Sequence, residues 1–235
     1  METVETEKNN LNGCILIPAF NEEKHLGSVV EVASKFLPVI VIDDGSIDRT
    51  VEIATKAGAI VFTQIPNQGK GAALQRGFSE VLKKGYDFLI TLDADGQHNP
   101  QEIRFFLDSF RNERKDLIIG YRDFSKMPFI RKLANLSGRW LFSWAVGRKI
   151  RDNQSGYRLM SKELINVVLD SNEYGYEYEV EIIVRCIQSG FKLGWVQIET
   201  IYADEVSHIR PFNHFKNFLR MVLKTRKRMH LSRLI

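Results

Sequence analysis

The chain has 235 residues, of which 44% are hydrophobic and 26% charged, a composition typical of a soluble globular protein with one large domain or two small ones. Its two cysteines, Cys14 and Cys186, are far apart in sequence, which favours buried thiols of a reducing compartment over a disulfide framework. The N-terminus is polar and acidic, and no run approaches the roughly twenty apolar residues of a membrane span. We therefore predict neither a signal peptide nor a spanning helix.

Positive charge is concentrated in two segments. Residues 122–151 carry a balance of +7 and residues 206–235 one of +8, against +4 for the whole chain, so the remainder is acidic at −11. This separation of sign predicts a polyanionic partner: nucleic acid, an anionic membrane or a phosphorylated substrate. A solvated charged face is the simpler alternative.

Short β-branched runs alternate with helical patterns through the first half of the chain. Apolar strands separated by helices predict a parallel sheet covered on both faces. The predicted strands are 14–19, 39–44, 59–64, 87–93 and 116–120, and the predicted helices 22–36, 48–58, 69–85 and 100–113. The second half predicts helices over 129–146 and 176–190, a strand over 192–202 and a basic amphipathic helix over 212–230.

Polar loops follow the predicted strands. In open α/β sheets a ligand lies beyond the carboxyl ends of the strands, so these loops are expected to converge on one crevice. They are Pro18–Glu22, Asp43–Asp48, Asn67–Gly71, Asp93–His98 and Tyr121–Asp123.

The segment Asp93–His98 carries the strongest chemical signal. Alternate side chains of an extended segment point the same way, so Asp93, Asp95 and Gln97 are predicted to face one ion. Two carboxylates and an amide suit Mg²⁺ or Mn²⁺, with other positions left for phosphate oxygens and water. Two aspartates separated by one residue are also common in surface loops, which is the alternative here.

Two further loops indicate a nucleotide. Asp44, at the end of a strand, is placed to accept hydrogen bonds from a ribose or a base, while Asp48 is predicted to cap the next helix. The segment Asn67–Gly71 is not a P-loop, because Gln64 and Gly71 stand where that motif needs Gly and Ser or Thr. Lys70, at a glycine-rich helix start, can still approach a diphosphate.

Taken together, six motifs resemble those of the family 2 glycosyltransferases with the GT-A fold, in the dolichyl-phosphate mannose synthase-like branch. They are LIPAFNEE, VIDDGSIDRT, NQGKGAAL, LDADGQH, IIGYR and DNQSGYRLMS. The resemblance implies a single Rossmann-like GT-A domain over 13–210, with a mostly parallel central sheet and helices on both faces. A flexible tail, 1–12, would precede it, and a basic amphipathic helix, 211–235, would follow.

The resemblance also implies roles for individual residues. Asp93, Asp95 and Gln97 would hold Mg²⁺ or Mn²⁺, and catalysis would depend on Asp93, Asp95, Arg122, Arg131 and Arg158. The nucleotide-sugar would contact Pro18, Ala19, Phe20, Glu22, Ile42, Asp44, Lys70, Asp93, Ala94 and Asp95. The acceptor would contact Arg122, Arg131, Asp152, Ser155, Arg158, Tyr202 and His208. Mannose synthases of this kind carry Arg and Lys where this chain has Tyr202 and His208, so the donor stays open between GDP- and UDP-sugars.

The implied reaction is inverting transfer of a hexose to a polyprenyl (dolichyl-type) phosphate. A phosphate acceptor is already an anion and needs no general base, only cations such as Arg122, Arg131 and Arg158 to offset repulsion between the substrates. A soluble saccharide or other hydroxyl acceptor is the alternative, and Glu181 is then the candidate base, unless it is a satisfied helix carboxylate.

The segment 129–146 interleaves cations with Trp140 and Trp144. Such a pattern occurs on nucleic-acid-binding surfaces, and a non-catalytic nucleotide- or nucleic-acid-binding module is the alternative from another class. Apolar residues on one side with cations on the other fit an interfacial membrane helix better. We therefore expect no nucleic acid and a peripheral protein on the cytoplasmic face of an anionic membrane.

Overall fold

The computed structural model describes residues 11–123, 129–169, 178–199 and 211–231. Within them, seven strands form one sheet in the order β3-β2-β1-β4-β6-β5-β7. The strands are β1 Gly13–Ala19, β2 Val39–Asp43, β3 Ile60–Thr63, β4 Phe88–Thr91, β5 Leu117–Arg122, β6 Arg158–Ser161 and β7 Leu193–Ile198. All neighbouring strands pair in parallel except β6, which is antiparallel to both β4 and β5.

Eight α-helices lie in the described residues, and they cover both faces of the sheet. They are α1 Leu26–Ala33, α2 Thr50–Lys56, α3 Lys70–Lys83, α4 Ile103–Glu113, α5 Phe129–Val146, α6 Lys162–Leu169, α7 Tyr178–Gln188 and α8 Pro211–Leu231. Side chains of α1, α2 and α4 share one buried cluster, and those of α3 and α5 to α8 share the other. The predicted mostly parallel α/β sheet with helices on both faces is confirmed.

Helix α3 packs directly against the central strand. A Cβ placed on Gly77 of α3 would come within 2.5 Å of Leu16 Cδ1 in β1, so a larger residue would have to displace the Leu16 side chain. Phe78 and Leu74 on the same helix are buried in the core. This packing fixes α3, and with it Lys70 at its first turn, against the sheet.

The sequence pattern missed strand β6 and helix α6. Strand β6 has four residues, and only Leu159 and Met160 are apolar, between Arg158 and Ser161. Such a short run carries no periodic signal. Because β6 runs opposite to its neighbours, its first residue lies at the edge where the parallel strands end: Arg158 is paired with Thr91 of β4 and Ile119 of β5.

Helix α8 packs on the body of the protein through one side. Met221, Val222, Thr225 and Met229 are buried, whereas Arg220, Lys224 and Lys227 are exposed. In the described residues, no helix is both long and apolar enough to cross a membrane.

Candidate active site

Asp93 and Asp95 follow β4 in a tight turn. The chain turns at Ala94–Gly96, where Gly96 has a φ of 73° and Asp95 Oδ1 accepts a hydrogen bond of 2.9 Å from the Gln97 amide. The expectation of an extended segment was therefore wrong, because the glycine reverses the backbone. Asp93 and Asp95 nevertheless interact electrostatically across this turn.

Asp93 is held from two other parts of the fold. Its Oδ1 lies 2.7 Å from Lys70 Nζ at the start of α3, and the same ammonium lies 2.9 Å from Glu179 Oε1 in α7. The Asp93 carboxylate also rests against Gly156, where a Cβ would lie 2.6 Å from Oδ2. Three segments distant in sequence thus fix the orientation of this carboxylate.

The charges of the site shift its pKa values in opposite directions. Burial opposes ionisation of Asp93, but Lys70, His98 and Arg158 outweigh it and hold the pKa of Asp93 below its ordinary value. Burial, with the nearby charge of Asp93, raises the pKa of Asp95. Although burial disfavours the ammonium, Asp93 and Glu179 raise the pKa of Lys70, which stays charged. A negative Asp93 carboxylate therefore lies beside a positive Lys70 ammonium.

The donor set fits a divalent cation. Asp93, Asp95 and Gln97 would supply hard oxygen ligands, and a cation beside Asp95 would offset the burial and the nearby Asp93 charge that raise the pKa of Asp95. His98 adds a buried imidazole whose Nε2 is 3.7 Å from Asp93 Oδ2 and whose Nδ1 lacks a hydrogen-bond partner within the described chain. Among the described residues, no group of three or more His, Cys, Asp or Glu side chains is arranged to hold a metal ion by itself.

Asp44 shapes the loop that precedes α3. Its Oδ1 accepts from Gln64 Nε2 at 2.5 Å and from the Gln68 amide at 2.9 Å, and its Oδ2 accepts from the Gly69 amide at 2.7 Å. The buried carboxylate thereby ties the end of β2 to the turn that presents Lys70. A direct contact between Asp44 and the nucleotide stays a prediction.

The sequence predicts Asp48 as the N-cap of α2, but in the structure Asp48 lies one residue before the N-cap. Helix α2 has Arg49 at its N-cap, and Asp48 Oδ1 accepts from the Thr50 amide at 2.9 Å. Asp48 Oδ2 also accepts from the Glu23 amide at 3.2 Å, which joins the loops after β1 and β2. The Asp48 carboxylate is therefore shared between the start of α2 and the loop after β1.

The other predicted nucleotide residues lie along these loops. Pro18, Ala19, Ile42 and Ala94 are buried at the edge of the sheet, whereas Phe20 is exposed and Glu22 partly exposed. Glu22 is fixed by its amide, which donates to Thr50 Oγ1 at 2.8 Å. The structure therefore brings the predicted loops to one edge, where Phe20 presents an accessible aromatic ring.

Two predicted acceptor residues pair with each other. Arg122 Nε donates to Asp152 Oδ2 at 2.8 Å, and its second guanidinium nitrogen donates to Oδ1 at 3.1 Å. Asp152 is buried and also accepts from the Gln154 amide at 3.0 Å. Asp152 thus orients the Arg122 guanidinium, whereas contact of either residue with an acceptor stays a prediction.

Arg158 is buried and holds neighbouring backbone segments of the site together. It is 1% exposed, and its guanidinium donates to the backbone oxygens of Ser155 at 2.7 Å, Asn153 at 3.4 Å and Glu179. Ser155 is buried as well, and its Oγ accepts from the Tyr157 amide. These bonds hold the loop before β6 against the start of α7, which is a role the sequence did not reveal.

Three further residues are predicted to contact the acceptor: Arg131, Tyr202 and His208. The side chain of Arg131, in the first turn of α5, lies outside the described residues, as do Tyr202 and His208. The Arg151 guanidinium stacks over the Tyr121 ring at 4.7 Å from its centroid. Arg151 is exposed at the same end of β5 as Arg122 and is a cation that sequence reasoning did not single out.

Of the two first-turn glutamates of α7, only Glu179 enters the site. Glu181 is held by Arg185 Nε at 2.9 Å and by two Arg228 nitrogens at 2.7 and 3.0 Å, which joins α7 to α8. Residues two apart on a helix point to different sides, and this spacing could have separated Glu179 from Glu181 in the sequence. Glu181 is thus engaged as a satisfied helix carboxylate.

The sequence profile described as glycosyl transferase family 2 matches residues 14–169. The chain belongs to glycosyl transferase family 2. It is a glycosyltransferase, so the alternative of a non-catalytic nucleotide- or nucleic-acid-binding module is wrong.

Two relatives of this chain indicate its branch within the family. A UDP-N-acetylglucosamine–dolichyl-phosphate N-acetylglucosaminyltransferase from Methanococcus voltae is 30% identical over 237 residues, covering 89% of this chain and 94% of the relative. A polyprenol monophosphomannose synthase from Mycolicibacterium smegmatis is 29% identical over 202 residues, covering 78% and 75%. These similarities confirm the predicted dolichyl-phosphate mannose synthase-like branch.

The fold has a close counterpart among solved structures. It matches glucosyl-3-phosphoglycerate synthase from Mycobacterium tuberculosis, crystallised with Mn²⁺, UDP-glucose and phosphoglyceric acid, with a TM-score of 0.71 at 20% identity. The match covers 94% of this chain and 80% of that one. At this identity the likeness shows the shared GT-A fold alone.

Proposed function

We propose that this protein transfers a hexose from a UDP- or GDP-sugar to a polyprenyl phosphate, using Mg²⁺ or Mn²⁺, at the surface of a membrane. The observation that carries the proposal is the contact of Asp93 with Lys70, beside Asp95, at the carboxyl edge of the sheet. Carboxylates for a cation and an ammonium for a diphosphate are what a nucleotide-sugar donor requires in one place.

The donor side is supported by the loop geometry. Asp44 and the helix start at Gly69 hold Lys70 where α3 begins, and a helix N-terminus favours negative charge. Asp93, Asp95 and Gln97 would hold the cation, which would neutralise charge on the leaving diphosphate. The Methanococcus voltae relative is named for a UDP-sugar, and the solved counterpart was crystallised with UDP-glucose and Mn²⁺.

The reaction needs orientation more than acid–base chemistry. A phosphate oxygen of the acceptor attacks the anomeric carbon while the bond from that carbon to the diphosphate oxygen breaks, which inverts the configuration. Nucleoside diphosphate leaves, and no proton has to be removed from the acceptor. Arg122, oriented by Asp152, would offset repulsion between the two phosphate-bearing substrates. Glu181, the candidate base for a hydroxyl acceptor, is engaged by two arginines instead.

A lipid-borne acceptor is supported by the outer surface of α5 and α8. Leu133, Trp140 and Trp144 of α5 are 59%, 68% and 45% exposed, and Leu223 of α8 is 63% exposed. The two helices are in contact, with Phe218 within 3.5 Å of the position of a Cβ on Gly138. Apolar side chains flanked by exposed cations fit the interfacial region of a bilayer. Both relatives are named for polyprenol or dolichyl phosphate.

Incubation with radiolabelled UDP- and GDP-sugars, with and without polyprenyl phosphate, tests the proposal. We expect label in the lipid extract only when both polyprenyl phosphate and a divalent cation are present. Label that reaches a soluble saccharide equally well without the lipid contradicts the proposed acceptor.

A further inference from the structure

Lys70 occupies an unusual position in the site. Its ammonium lies between two carboxylates, 2.7 Å from Asp93 Oδ1 and 2.9 Å from Glu179 Oε1. Asp93 is also the residue proposed to hold the divalent cation. The carboxylate proposed to hold the divalent cation is therefore already paired with an ammonium of the protein itself.

The backbone of Lys70 is anchored, but its side chain is long. Gly69, with a φ of 90°, and the hydrogen bond from its amide to Asp44 fix the turn at the helix start. The ammonium itself ends a flexible four-carbon stem and is partly exposed, with 42% of the side chain accessible. It can move between neighbouring anions while the helix stays in place.

We propose that the Lys70 ammonium occupies the position of the divalent cation at Asp93 until the nucleotide-sugar binds. The ammonium and the divalent cation compete for Asp93, and the diphosphate of the donor draws Lys70 away from that carboxylate. Cation and nucleotide then bind with positive linkage, because each removes an obstacle to the other. This inference rests on the proposed function and specifies how the same site is loaded.

Glu179 gives the movement a second anchor. When a cation takes Asp93, the ammonium keeps a carboxylate partner in α7 and remains inside the site. Glu179 is itself held in place, since its backbone oxygen accepts from the buried Arg158. Glu179 is accordingly a positioning residue for Lys70 and is not expected to touch the substrate.

Binding of Mn²⁺ to the nucleotide-free protein, followed by electron paramagnetic resonance, tests the competition. We expect Lys70→Met to bind Mn²⁺ about tenfold more tightly than the unaltered protein, since a competing charged partner is removed. Lys70→Arg retains the cation and should keep weak binding. Lys56→Met, which removes a surface ammonium paired with Glu52, is the matched control and should change nothing.

The titration is then repeated with UDP and with GDP. Added nucleotide should tighten Mn²⁺ binding to the unaltered protein by about tenfold, and the gain should be smaller in Lys70→Met, where only direct ligation of Mn²⁺ by the diphosphate remains. Circular dichroism establishes that each variant is folded. Equal Mn²⁺ affinity in Lys70→Met, Lys70→Arg and the unaltered protein, with nucleotide or without, overturns the inference but leaves a metal-dependent transferase intact. Absence of Mn²⁺ binding to every protein, even with nucleotide, contradicts the metal dependence in the proposed function.

Discussion

Gly156 and Asp93 are in contact across the site: a Cβ on Gly156 would lie 2.6 Å from Asp93 Oδ2 and 2.7 Å from Oδ1. Gly156 lies in the loop before β6, and its carbonyl accepts from Thr91 Oγ1 at 2.6 Å, so the loop is tied to β4. The absence of a side chain at Gly156 therefore defines where the Asp93 carboxylate rests.

We expect Gly156→Ala to lower the transfer rate by about tenfold to a hundredfold, because displacing a catalytic group by about 1 Å has effects of that size. The rate is measured with saturating donor and cation, and the fold by thermal unfolding. Gly138→Ala in α5 is the control, since a Cβ there meets Phe218 at an ordinary 3.5 Å. A fully active Gly156→Ala protein would show that the position of Asp93 does not limit the reaction.

Metal dependence follows from Asp93 and Asp95. Chelation should abolish transfer, Mg²⁺ or Mn²⁺ should restore it, and Asp95→Ala should lose at least ~100-fold in rate. Asp108→Ala, which removes an exposed carboxylate of α4 paired with Arg111, is the matched control. Full activity in excess chelator would contradict the metal site.

Arg122→Ala should weaken use of the acceptor more than binding of the donor nucleotide, with a loss on the order of 1.5–3 kcal/mol. Acceptor Michaelis constants and nucleotide calorimetry separate the two effects. Because the single change leaves Asp152 buried without its partner, the double variant Arg122→Ala/Asp152→Asn is needed as well. Recovery of the acceptor Michaelis constant in the double variant would assign Arg122 a purely structural role.

Co-sedimentation with liposomes checks the surface formed by α5 and α8. Binding to anionic vesicles should weaken with salt, because each nearby cation contributes roughly 1 kcal/mol that salt screens. Trp140→Ser should remove much of the binding that persists at high salt. Phe105→Ser, on exposed α4 at the opposite face of the sheet, should have no effect. If the folded protein does not bind anionic vesicles at low salt, the predicted membrane role is wrong.

The ion pair between Glu181 and Arg228 predicts a pH-dependent stability. Burial opposes ionisation of Glu181, but Arg228 and Arg185 outweigh it and hold the pKa of Glu181 below its ordinary value. The stabilisation is thus present above the ordinary glutamate pKa and is lost as the pH falls through the lower, folded-state value.

Arg228→Met should therefore reduce the free energy of unfolding by about 1.5–3 kcal/mol near neutral pH, and much less at about pH 3. Urea unfolding at both pH values measures the difference. Arg220→Met, at an exposed position of the same helix, is the control. An equal loss at both pH values would mean that packing of the arginine stem, rather than its charge, stabilises the contact.

Much of the sheet could be predicted because its parallel strands are continuous apolar runs. All residues of β1, β2 and β4 are buried, and each run ends at a polar loop. Those loops do lie along one edge. Strand β6 could not be predicted in this way, since two apolar residues give no period. Its antiparallel insertion carries Gly156 and Arg158 to the site.

The contacts within the site could not be predicted from the sequence, for a different reason. Lys70, Asp93 and Glu179 are brought together by three separate elements, and no local spacing encodes that meeting. The sequence pointed to Glu181 as a candidate base, yet helix geometry turns it toward Arg228 and leaves Glu179 at Lys70. Residue type indicated the chemistry, and the fold decided which residue performs it.

The central claim is that the acceptor is a phosphate carried by a polyprenyl chain. Transfer from a radiolabelled nucleotide-sugar, in the presence of Mn²⁺, is measured with polyprenyl phosphate and with the polyprenol of the same chain length. Efficient labelling of the phosphate and none of the alcohol is the predicted result, because a phosphate nucleophile needs no general base. Equal labelling of the alcohol would contradict the account.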